Sequence, residues 1–222
     1  MDTKVKKALH AGVNSYAEYK GLDATDLLSQ LEQVFDSEAP FMDKVEQLDQ
    51  VFDDHMRFDE LREVSFDLLM INFFAEDVQK LEEDYLDSEE WESIEEQTLD
   101  RGTELLNIFL YLSECADEDV TPSLDDYLKE FLLVEEDEFQ DEYSIYERVI
   151  ANQILVESDY SEIAKVAKTI GEGEELYELF YPVVSFFYEQ DPDDRQLEEY
   201  VSQAANKAFE TSIYKLIVHF NK

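Results

Sequence analysis

The groups with which this chain could do chemistry are carboxylates. Asp and Glu make up 57 of its 222 residues, against 17 Lys and Arg, for a formal net charge of -40. Acids spaced i, i+3 on a helix can hold a divalent cation when a neighbouring helix supplies a second pair. Glu92/Glu95 and Glu114/Asp117 have that spacing, and Asp137-Glu138-x-x-Asp141 is a looser grouping. Chance alone places about 14 such pairs in a chain this acidic. Distance argues further against a shared ion. In a single helix over 88–116 the two pairs stand ~33 Å apart, and a fold back at Gly102 leaves them offset by ~10 Å. The expectation is therefore no metal, no catalytic residue and no cofactor.

The same i, i+3 pairs resemble those with which all-helical nucleotide pyrophosphatases hold Mg²⁺. That resemblance covers four residues and implies, as an alternative, a Mg-dependent enzyme of that kind. His10, His55 and His219 fall in different segments, and none follows a Glu by three, so the Glu-x-x-His pairs of di-iron bundles are missing. Three separate His and the single Cys115 make no zinc set. Gly-rich phosphate loops, a G-x-S-x-G elbow and EF-hand loops are also missing.

As a surface the acids say more. Residues 82–100 hold ten acids and no Lys or Arg, and residues 114–142 hold thirteen with only Lys129. The candidate partner-binding faces are Glu89, Glu90, Glu92, Glu95 and Glu96, and Glu135, Glu136, Asp137, Glu138, Asp141 and Glu142. Tyr127, Tyr143 and Tyr146 lie among acids and fit interface residues, since tyrosine offers area and a hydroxyl together. Tyr177, Phe180, Tyr181, Phe186, Phe187 and Tyr188 have helical spacing and read as core.

The elements that must position these groups are helices. Apolar residues recur with a 3.6-residue period almost everywhere, and five Gly and four Pro are too few for a turn-rich β-sandwich. Val5, Leu9, Val13 and Tyr16 mark a first face. Leu27, Leu28, Leu31, Val34 and Phe35 mark a second, after Asp23 as N-cap. Phe41, Val45, Leu48, Val51 and Phe52 mark a third. A helix from about 59 to 74 is apolar almost all round at its end and should be buried. A segment opening at Asp87-Ser88 turns or continues at Gly102 into the apolar run 105–112. Further helices fit 123–134, 141–156, 161–170, 174–189 with a kink at Pro182, and 192–220 capped by Asp191.

The predicted fold is an all-α multi-helix bundle, with an N-terminal helical unit over 1–116, a linker over 117–123 and a C-terminal unit over 124–222. Ordered likenesses, such as Phe73-Phe74 with Phe186-Phe187 and Leu81-Glu-Glu83 with Leu197-Glu-Glu199, suggest two tandem-duplicated units. They would pack through their most apolar helices, 103–112 and 211–220.

Charge sets the expected function. Residues 1–20 and 201–222 are each net +2, so the middle carries -44. A phosphate-neutralising nucleic-acid binder needs the opposite balance, and anionic lipid is disfavoured for the same reason. Solubility needs a net charge of only about 2–8. The expectation is a non-enzymatic binding protein whose polyanionic, DNA-mimic-like surface engages a basic DNA- or RNA-binding protein or nuclease. DNA-mimic inhibitors, immunity proteins and chaperones of basic proteins all use this physics. Adaptation of a helical scaffold to high salt is a further alternative. One Cys, no apolar block behind the N-terminal lysines and no ~20-residue apolar stretch lead to a cytoplasmic expectation, without membrane contact.

Overall fold

The computed structural model describes residues 1–76, 80, 83–130, 139–174 and 176–222. Among these the fold is all-α, with no strand. The first half supplies α1 (Thr3–Lys20), α2 (Thr25–Asp36), α3 (Phe41–Asp54), α4 (Arg62–Glu76), α5 (Glu83–Leu86), α6 (Glu89–Thr98) and α7 (Leu105–Asp117). The second supplies α8 (Leu124–Glu130), α9 (Phe139–Ile150), α10 (Tyr160–Ala167), α11 (Phe180–Tyr188), α12 (Asp194–Gln203) and α13 (Lys207–Phe220). Short 3-10 turns occupy Met56–Leu61 and Gln153–Glu157.

Side-chain caps set several of these ends. The Asp2 carboxylate accepts the Lys4 and Val5 amides to start α1, and Gly21, at φ 64°, closes it. Asp23 accepts the Thr25 amide at 2.9 Å, which starts α2 one turn position later than a conventional cap. Three boundaries differ from the periodicity. The segment 192–220 is two helices, and the first starts at Asp194, where Asp193 and not Asp191 forms a capping box with Gln196. Asn206 then caps a fresh start by accepting the Phe209 amide. Only the last part of 174–189 is regular helix. Pro182 therefore sits in the first turn of α11, where its missing N–H costs no helical bond, and the predicted kink is not needed. The helix expected over 141–156 stops at Ile150 and passes into the second 3-10 turn.

One cluster of buried apolar side chains runs through both halves. Its most extensive helix pair is α1 along α13. Gly12 permits that approach: Ser212 Oγ donates to the Gly12 carbonyl at 2.8 Å, and a Cβ on Gly12 would stand 3.0 Å from Leu216 Cδ1. The predicted partner of α13, α7, meets it at Phe109 against Phe220, with ring centroids 4.7 Å apart. Beneath α13, Tyr181, Tyr200 and Tyr214 stack at centroid distances of 4.6 and 4.3 Å. Their hydroxyls find carbonyls of Tyr200, Glu210 and Glu189, which removes the penalty of burying them.

The tyrosines read as interface residues divide. Tyr127 and Tyr146 are buried, their hydroxyls 2.6 Å apart, and Tyr146 donates onward to Glu104. Only Tyr143 is exposed. The reason is helical phase: Tyr127 follows Leu124 by three and so shares its inward face, whatever the polarity of its sequence neighbours. Tyr181, Phe186 and Phe187 are buried as expected, whereas Tyr177 is exposed. No helix among the described residues is long and apolar enough to cross a membrane.

Candidate acidic interface

Helix α6 carries the first predicted acidic face. Ser88 accepts the Trp91 amide at 3.2 Å and starts the helix. Its inward face is Trp91, Ile94 and Thr98. Trp91 lies against Phe74 of α4 at a ring-centroid distance of 5.4 Å, and Ile94 is buried. At 3.6 residues per turn, Glu89, Glu92 and Glu96 fall within about 60° of arc opposite that face, with Glu90 and Glu95 on its flanks. All five are exposed.

The local density is high. Spread evenly over the 11,818 Å² surface, 57 acids would stand about 14 Å apart. On α6 the i, i+3 and i, i+4 neighbours are ~5–6 Å apart. Five charges over ~12 Å of axis give one per ~2.4 Å, against one per ~1.7 Å for duplex DNA. None of the five makes an ion pair among the described residues. Several cations pair elsewhere: Lys6 with Glu32 at 2.9 Å, Lys20 with Glu60 at 3.0 Å, Arg62 with Asp49, Asp53 and Asp59, and Lys222 with Asp191 at 2.5 Å.

A polar knot behind α6 fixes the turn that ends it. Arg101 makes a two-pronged pair with Asp49, both bonds 3.0 Å, and its Nε reaches Glu63 at 3.0 Å. The guanidinium also covers the Phe66 ring at 4.9 Å. The next amide, Gly102, donates to Glu63 at 2.8 Å. Thr103 then donates to Asp67 through its amide at 2.9 Å and its hydroxyl at 2.5 Å. Burial pushes the Asp67 carboxyl well above the ordinary carboxylate range; the Thr103 bonds oppose that shift, and the charges of Glu63 and Glu104 add to it. Arg101 had no place among the sequence candidates. Its signal was isolation, as a lone guanidinium directly after ten acids and directly before a glycine.

The second predicted face is only partly placed. Glu135, Glu136, Asp137 and Glu138 lie outside the described residues, as do the side chains of Asp141 and Glu142, whose backbone belongs to α9. Of the acid pairs weighed for metal, Glu92/Glu95 is on α6 and Glu114/Asp117 ends α7, with the Arg101–Gly102 turn between the helices. No group of three or more His, Cys, Asp or Glu converges to hold a metal ion among the described residues.

The histidines have local partners. His10 Nε2 lies 2.5 Å from Glu32, His55 joins Asp26 to the Val51 carbonyl, and His219 Nδ1 meets the Lys215 carbonyl at 2.7 Å. Cys115 is buried. Comparison with protein-family models, with curated proteins and with solved structures finds no match to this chain.

Proposed function

We propose that this chain acts by binding, as an inhibitor or immunity-type protein whose polyanionic surface engages a basic, nucleic-acid-handling protein. One observation carries the reading: α6 holds Glu89, Glu90, Glu92, Glu95 and Glu96 exposed, with no ion pair among the described residues, at a linear density close to that of duplex phosphates. A basic surface shaped for DNA or RNA gains the same electrostatic attraction from these carboxylates, with fast and salt-sensitive association. The seating of Trp91 and the Arg101 knot support it further. They hold the charges on a seated helix, so little backbone ordering is left for the moment of binding.

A pull-down from host lysate at low salt, with mass spectrometry, tests the reading. DNA- or RNA-binding proteins should be enriched, and the enrichment should fade as salt passes physiological strength, where charges are screened within ~8 Å. Changing the five glutamates to glutamine should weaken capture of the same partners. Recovery of a neutral partner that the five substitutions leave untouched, or hydrolysis of a nucleotide with Mg²⁺, refutes it.

A further inference from the structure

A cleft of about 400 Å³ opens between α10, the turns at 176–179 and the α12–α13 junction. Its floor is apolar, formed by Ala164, Tyr181 and Phe209, all buried. Its charged groups are two carboxylates, Glu178 and Glu210, and Lys168, with Gln203 and Asn206 beside them. Glu210 is half-buried on the α13 wall and accepts the Ala205 amide at 2.8 Å. Burial raises its carboxyl above the ordinary range, against the pull of the Ala205 and Asn206 amides and of Lys168. Among the described residues Glu210 makes no ion pair, and Lys168 is exposed on the opposite wall. Glu178 and the ring of Tyr177, both exposed, stand at the mouth.

We propose that this cleft binds an organic cation carried on an aliphatic stem, an alkylguanidinium or alkylammonium. The charge would lie between Glu210 and Glu178, and the stem would lie on Ala164 and Phe209. Two carboxylates against one lysine leave the cleft one negative charge in excess, which a single cation completes. The volume lies in the range of small-ligand sites. An inorganic cation has no use for the apolar floor, and a phosphate ester would meet both carboxylates. Tyr177 offers the cation a ring face. The proposal does not rest on α6 and stands or falls separately from it.

Titration of the full chain, followed by amide chemical shifts, tests this with n-butylguanidinium and methylguanidinium as probes. Saturable shifts at Ala164, Tyr177 and Glu210 are expected, with the butyl compound binding at least fivefold more tightly. Glu210→Gln keeps an acceptor for the Ala205 amide while removing the charge, and should weaken binding about tenfold, equivalent to ~1.4 kcal/mol. Ala167→Phe fills the cleft from a partly exposed position and should abolish the shifts. N-acetylarginine amide and spermidine separate the two sources of the same chemistry. Tighter binding of the first points to a protein side chain, and of the second to a free polyamine. Equal affinity for the butyl and methyl probes, or shifts that follow α6 instead of the cleft, overturns the proposal.

Discussion

The Gly102 turn gives the most direct test of how α6 is held. Gly102 has φ 83°, and a Cβ built there lies 2.5 Å from Asp67 Oδ1 and 3.2 Å from Phe66 Cδ1. Gly102→Ala therefore meets two costs. An L-residue in the left-handed region costs ~1–2 kcal/mol. The methyl must also push Asp67 away from the Thr103 amide and hydroxyl, and an unsatisfied buried polar group costs ~1–3 kcal/mol. Together the loss should be about 2–5 kcal/mol. At ~2–4 °C per kcal/mol for a chain of this size, the melting temperature should fall by about 4–20 °C. Gly21→Ala is the matched control. Its φ is 64°, yet nothing lies within 4 Å of its Cβ position, so it meets only the first cost, ~1–2 kcal/mol. Urea unfolding of both variants reads the difference. In an Asp67→Ala background Gly102→Ala should cost less than in the parent, since the two sites share one contact. A Gly102→Ala loss no greater than that of Gly21→Ala would refute the packing of Asp67 against this turn.

Other consequences follow from the same interactions. Replacing the five α6 glutamates by glutamine removes three like-charged i, i+3 or i, i+4 pairs, each unfavourable by ~0.2–0.5 kcal/mol. It also removes Glu89, Glu90 and Glu92 from the first turn, each favourable by ~0.3–1 kcal/mol. These nearly cancel, so unfolding stability should stay within ~1 kcal/mol of the parent, and a larger loss would mean that the acids serve the fold. Asp67 binds its proton more tightly folded than unfolded. Its contribution is complete below the unfolded value near pH 3.9 and is lost as pH rises through the raised folded value. Urea stability of Asp67→Asn should therefore decline less than the parent's from about pH 4 upward, and parallel curves would exclude the shift. Tyr214→Phe removes the donor to the Glu189 carbonyl at 2.8 Å and the partner of Tyr160 at 2.9 Å. It should cost ~1–3 kcal/mol, whereas Tyr177→Phe, at an exposed ring, should cost under ~0.5 kcal/mol. Thermal unfolding compares the two.

Helix content and most helix positions were legible in the sequence because their causes are local. Val5, Leu9, Val13 and Tyr16 repeat at the helical period, and each is buried. Ser88 before Trp91, Gly102 at a turn and the acids of α6 opposite Ile94 are likewise arranged by neighbours a few residues away. Errors came where two local readings competed. Asp191 before Pro192 reads as the cap, and the capping box of Asp193 with Gln196 moves the helix start two residues on. Tyr127 and Tyr146 sat among acids but in phase with Leu124 and Val149, and phase decided.

The sequence by itself determined an all-helical chain with an extreme negative charge and an α6 whose carboxylates share one face. Only the tertiary structure decided that Gly12 lies against Ser212, 200 positions away, and that Arg101 closes on Asp49 and Glu63. It also decided that Glu210 ends in a cleft with Tyr177 and Lys168. Helical period and capping are properties of a few consecutive residues. Which helix meets which depends on the shapes and charges of whole faces, and no short stretch of the chain carries that information.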